Sequence, residues 1–79
     1  MAKTEAKEIA PGITADPRVR FGKPVIKGTR VPITVILEQL SLGATVSQAA
    51  EEYGVTEGDV LAVLRYAYEI IASEDVAAV

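Results

Sequence analysis

The 79-residue chain has no cysteine and no histidine. Without thiols there is no covalent staple for a domain near the small end of what folds alone, so its stability rests on packing. The same two absences remove thiol nucleophiles, imidazole acid–base catalysis and the usual zinc and copper ligands. Zero cysteine fits a reducing compartment. Residues 1–10 alternate charges with alanines and offer no apolar core of signal-peptide type. No stretch approaches the length of a bilayer span. These features predict a cytoplasmic protein with no membrane partner.

One sign of charge is missing locally. The run Gly22-Lys23-Pro24-Val25-Ile26-Lys27-Gly28-Thr29-Arg30-Val31-Pro32 holds two glycines, two prolines and three cations in eleven residues, and no acid. Arg18 and Arg20 lead into it. Residues 1–33 carry seven cations against three acids, a net of +4, whereas residues 34–79 carry Arg65 against eight acids, a net of −7; together they give the −3 of the whole chain. The front is basic and punctuated by turn residues; the back is acidic and reads as helical. Either the two halves attract each other within the fold, or each faces a different partner. The hydrophobic share is 49%, more than one small core can hide. That excess predicts a homodimer or a stable complex.

Along the chain, residues 1–10 read as a disordered tail and 11–33 as a basic extended arm or short β-ribbon. Residues 34–73 read as a helical bundle and 74–79 as a short C-terminal tail. Asp16-Pro17 starts a turn, and Pro24 to Lys27 reads as extended. Thr34 is the expected N-cap of a first helix with Ile33, Ile36, Leu37 and Leu40 on one face, stopped at Gly43. Thr45-Val46-Ser47-Gln48 has the form of a capping box opening a second helix that ends at Tyr53-Gly54. Thr56-Glu57-Gly58-Asp59 opens a third, with Val60, Leu64, Ala67, Tyr68 and Ile71 expected on its inner face, Val63 and Ile70 widening the stripe, and an end near Ser73. The fold class expected is mainly α: a three-helix, helix-turn-helix bundle behind an extended arm or short β-ribbon.

Helices two and three carry the spacing of a helix-turn-helix over residues 46–65. Ala50 is small enough for close approach, Gly54 suits a tight turn, and Val55 and Val60 fill the wedge. The same spacing occurs in hairpins that never meet DNA. Thr56 and Arg65 are the plausible base or phosphate contacts on helix three, because Glu57 and Asp59 oppose a polyanion. Arg18, Arg20, Lys23, Lys27 and Arg30 offer the arm as a second nucleic-acid surface. Arg30 could instead pair with an acid on a neighbouring helix. The Gly-Lys-Ser/Thr order of a phosphate loop is missing and Pro24 lacks an N–H, so neither a nucleotide cofactor nor a small-molecule substrate is implied.

The Gly22–Pro32 run, followed by a short helix, Gly43 and the helix pair through Tyr68, resembles the bacterial and archaeal domain of unknown function 433 family over residues 13–70. Gly22, Pro24, Gly28, Thr29 and Arg30 stand at its motif positions. The resemblance implies a homeodomain-like helix-turn-helix module with an extended N-terminal segment. It also implies kinship with candidate VapB-like antitoxins, encoded beside a PIN-like ribonuclease toxin. On that reading Glu51, Glu52, Glu57 and Asp59 present carboxylates to the ribonuclease, and the arm touches operator DNA. The alternative is an interaction or assembly module whose helix-turn-helix, with Gly54 at its turn, is purely structural and binds no nucleic acid. Catalysis is the weakest reading, because no paired carboxylates stand beside a pocket signal.

Overall fold

The computed structural model describes residues 7–78, and side chains over residues 7–74. Three short strands precede three helices: β1 (Lys7–Ala10), β2 (Ile13–Ala15), β3 (Val25–Ile26), α1 (Ile33–Ser41), α2 (Val46–Tyr53) and α3 (Glu57–Ala78). The strands form an antiparallel sheet in the order β1-β2-β3. This corrects the expectation of a mainly α fold with an extended arm or short β-ribbon in front. The three helices are present, but the basic front end is a sheet that contributes to the core, and the protein is mixed α and β.

The sheet starts from one turn. Pro11 fixes its own φ and Gly12 takes φ +81°, the pair a type II turn requires. β1 and β2 pair across it as Lys7↔Ala15 and Glu8↔Thr14, then slip by one residue to Ala10↔Ile13, leaving a bulge at Ile9. The Gly12 N–H donates to Glu8 Oε2 at 2.9 Å, and the Gly12 carbonyl accepts from the Lys27 N–H at 2.8 Å. A Cβ at Gly12 would lie 3.1 Å from the Ala62 Cβ, so the absence of a side chain also seats the turn against α3. Lys7–Ala10 thus form a strand where a tail was expected; residues 1–6 lie outside the described residues.

β2 and β3 pair as Ile13↔Ile26 and Thr14↔Val25. Ile13 and Ile26 are fully buried and join Ile33 and Ile36 of α1, Ala49 and Ala50 of α2, and Val60 and Val63 of α3 in one core. Ala49 and Ala50 bring α2 close to α3, as their small volume allows. The N-cap of α1 is Pro32, without a side-chain cap, and not Thr34. The proline's φ of −68° already suits helix entry. α2 opens on the expected capping box: the Gln48 N–H donates to Thr45 Oγ1 at 3.0 Å, and the Thr45 N–H to Gln48 Oε1 at 2.9 Å. It closes on Gly54 at φ +68°, with the Val55 N–H reaching back to the Ala50 carbonyl at 3.0 Å.

α3 runs to Ala78, past Ser73 and through residues expected to form a tail. Its buried face also differs from expectation. Val60 and Val63 are buried and Ala62, Tyr66 and Ala67 half-buried, whereas Leu61, Leu64, Tyr68, Ile70 and Ile71 are exposed. The helix is apolar on more than one side, and periodicity alone cannot choose which side meets the core. Among the described residues no helix is long and apolar enough to cross a membrane.

Candidate functional site

The basic run is built by turns that lock one another. Gly28 (φ +79°) sits at the third position of a turn closed by the Thr29 N–H to the Ile26 carbonyl at 3.0 Å. The Thr29 hydroxyl donates to the same carbonyl at 2.8 Å and accepts from the Val31 N–H at 3.0 Å. Thr29 and Gly28 therefore shape the loop, and Pro24 accepts the Ile33 N–H at 3.2 Å to join the loop to α1.

The predicted cations divide by what they touch. Arg18 grips Asp16 with two parallel bonds, Nε to Oδ1 at 3.0 Å and Nη2 to Oδ2 at 2.9 Å, while its backbone N–H donates to Oδ1 at 2.8 Å. Lys27 Nζ lies 3.2 Å from Glu8 Oε1, tying the β3 turn to β1. Arg65 sits 3.9 Å from Glu69, one turn along α3. Arg20, Lys23 and Arg30 are exposed and have no acidic partner among the described residues. The alternative that Arg30 pairs with a helix acid is not realised among them.

Two carboxylates record this network in their acidity. Asp16 is held below its ordinary value of 3.8, first by the Arg18 side chain and then by the Arg18 N–H, with burial opposing. Glu8 is held below 4.5, first by the Gly12 N–H and then by Lys27. A carboxylate depressed in the folded state stabilises it above the unfolded-state value, and that contribution is lost as pH falls through the folded value. The urea midpoint is therefore expected to fall as pH drops from neutral to about 3, and Asp16→Asn to lower the neutral midpoint and flatten this acid limb. Parallel limbs in the two proteins, measured by circular dichroism, would remove the role given to Asp16.

Between Arg18 and Lys23 the backbone leaves its usual space. Arg20 (φ +52°), Phe21 (φ +59°, ψ +33°) and Gly22 (φ +82°) are all left-handed, forming one left-handed turn closed by Gly22 N–H to Val19 O at 3.0 Å and Lys23 N–H to Arg20 O at 3.1 Å. For two non-glycine residues this costs about 2–4 kcal/mol. The turn thrusts Phe21 into solvent at 94% exposure. Arg20, Phe21 and Lys23 line a groove of about 250 Å³ together with Pro32, Thr34 and Val35. Sequence reading named the two cations and missed the aromatic between them, although a ring set among cations is the composition of a strand-binding surface.

The acidic set is only partly gathered. Glu51 and Glu52 line a polar groove of about 490 Å³ with Gln39, Ala44 and Gln48. Glu57 is exposed at the start of α3, outside that groove. Asp59 is engaged in a cap: its Oδ2 accepts from the Thr56 N–H at 3.0 Å, and its own N–H donates to Thr56 Oγ1 at 3.0 Å. Thr56, expected as a base contact, has its hydroxyl committed there.

Strands β2 and β3, the Gly22–Pro32 loops, α1, α2 and the first half of α3 fall in the segment 13–67 that matches the family profile described as protein of unknown function, DUF433. The chain belongs to the DUF433 family. A Mycobacterium tuberculosis protein named "Putative antitoxin VapB45" is 38% identical over 61 residues, covering 77% of this chain. The crystal structure of Rv2018 from Mycobacterium tuberculosis superposes with a TM-score of 0.61 and 36% identity over 66% of this chain. This DUF433 chain spans about a quarter of the length of each, 24% in both cases.

Proposed function

We propose that the protein is a small dimeric adaptor of antitoxin type that binds a PIN-like ribonuclease toxin and contacts operator DNA. The observation that carries this reading is the 38% identity, over most of this chain, to a protein named as an antitoxin. The charge division supports it: Glu51 and Glu52 line an open polar groove suited to a basic nuclease surface, while Arg20, Lys23 and Arg30 stand free on the opposite kind of surface. The exposed stripe on α3 supplies an apolar face for pairing two copies. Co-expressed with the ribonuclease encoded beside it, the protein is expected to co-purify with that enzyme and suppress its cleavage of RNA. Joint Glu51→Lys and Glu52→Lys substitution is expected to weaken capture at least about tenfold, since like charges across an interface cost several kcal/mol. Recovery of no nuclease, with no toxicity from any adjacent gene, removes the reading.

A second reading is favoured by one observation. Thr56 and Asp59 cap α3 with each other's backbone N–H groups, and two acids stand where a recognition helix would approach phosphates. On this reading the helix pair is a packing device, and the protein is an assembly module without duplex binding. A gel shift with operator DNA at two salt concentrations separates the two.

A further inference from the structure

Among the described residues, the left-handed turn at Arg20–Gly22 holds the non-glycine residues at positive φ, Arg20 and Phe21. Nothing in the fold needs its occupant to be phenylalanine. Phe21 is 94% exposed and covers no part of the core. Glycine would adopt the same φ without strain. A residue that works against its own backbone and gains no burial in return points to a role outside folding.

The surroundings say what that role is. Arg20 and Lys23 flank the ring and have no acidic partner among the described residues. No acid is among the residues lining the groove, which Pro32, Thr34 and Val35 complete. The neighbouring cation Arg18 is already committed to Asp16, which holds the start of the turn while leaving Arg20 and Lys23 to an outside anion. An exposed flat ring, two unpaired cations and apolar side chains lining one groove match one polymer closely. That polymer alternates negative groups with flat, stackable rings. A base that is paired and stacked in a duplex hides its faces, so the ring can be met only by an unpaired one.

We propose that the groove beside Phe21 binds single-stranded nucleic acid, with one base stacked on the Phe21 ring and the flanking phosphates held by Arg20 and Lys23. The site needs no ribonuclease; it shares Arg20 and Lys23 with the operator contacts proposed above, and the comparison of single strand with duplex separates the two.

The test uses the full chain and a fluorescein-labelled mixed-sequence oligonucleotide, single-stranded and as its duplex, followed by anisotropy at low and moderate salt. The single strand is expected to bind more tightly than the duplex. Phe21→Gly is expected to weaken single-strand binding about 5- to 100-fold, the range for loss of one base–aromatic stack. The same substitution should raise the melting temperature by relieving the turn, so loss of binding cannot be charged to unfolding. Phe21→Trp places the chain's sole tryptophan at the site and is expected to retain binding, with emission quenched as a base stacks on the indole. Joint Arg20→Ala and Lys23→Ala should weaken binding and flatten its salt dependence. Undetectable binding at low salt, equal binding by Phe21→Gly, or an unquenched Phe21→Trp would each overturn the proposal. So would a Phe21-dependent capture of the ribonuclease, or of a second copy, in place of the oligonucleotide.

Discussion

Ile36→Ala is expected to cost about 2–5 kcal/mol and to leave the chain barely folded at 25 °C. Ile36 is fully buried on α1 and shares a core with Ile13 and Ile26 of the sheet and with Val60 and Val63 of α3. Removing its outer carbons therefore opens a cavity lined from both the strands and the helices. A chain of this length has a total stability of about 4–12 kcal/mol to lose, and no disulfide to limit the damage. Urea unfolding followed by circular dichroism should show the midpoint falling with little change in slope. Leu42→Ala is the matched control. Leu42 is 74% exposed, so its truncation should move stability by no more than about 0.5 kcal/mol. Equal effects at the two positions would mean that sheet and helices do not share a core.

Tyr68→Glu combined with Ile71→Glu is expected to leave the fold intact and convert a dimer to a monomer. Leu61, Leu64, Tyr68 and Ile71 are 55%, 37%, 69% and 56% exposed, and their alternating spacing of three, four and three residues makes a seam along one side of α3. Laid antiparallel on a second copy, Leu61 meets Ile71 and Leu64 meets Tyr68, so the stripe is complementary to itself, as a two-fold interface demands. In that pairing the two carboxylates on each copy would be pressed against Leu64 and Leu61 of the other, burying charge without a partner. Light scattering should report about twice 8.4 kDa for the parent protein and 8.4 kDa for the variant, with the same helical signal in both. A parent that is monomeric at micromolar concentration removes the dimer.

Local chemistry was legible where a few adjacent residues settle the matter. The Thr45–Gln48 box, the reciprocal Thr56–Asp59 cap and the left-handed stop at Gly54 need only a four- or five-residue window. β1 was not legible, because Lys-Glu-Ile-Ala has no strand pattern of its own. It becomes a strand only through Pro11-Gly12 and the partner that this turn delivers. The inner face of α3 failed for a different reason. With apolar side chains on two sides, the helix lets its neighbours decide which is buried. Of the candidate site, the free cations Arg20, Lys23 and Arg30 and the groove acids Glu51 and Glu52 were named from sequence. The division between free and paired cations was not, because Lys27 meets Glu8 nineteen residues away, on a strand, β1, that no pattern had announced.

The positive φ at Phe21 has a consequence for anyone improving this molecule. Screening a mutant library for heat tolerance alone would enrich glycine at that position. The winners would be sturdier proteins with a blunted tip, and the screen would report success while the ring that greets the outside world disappeared.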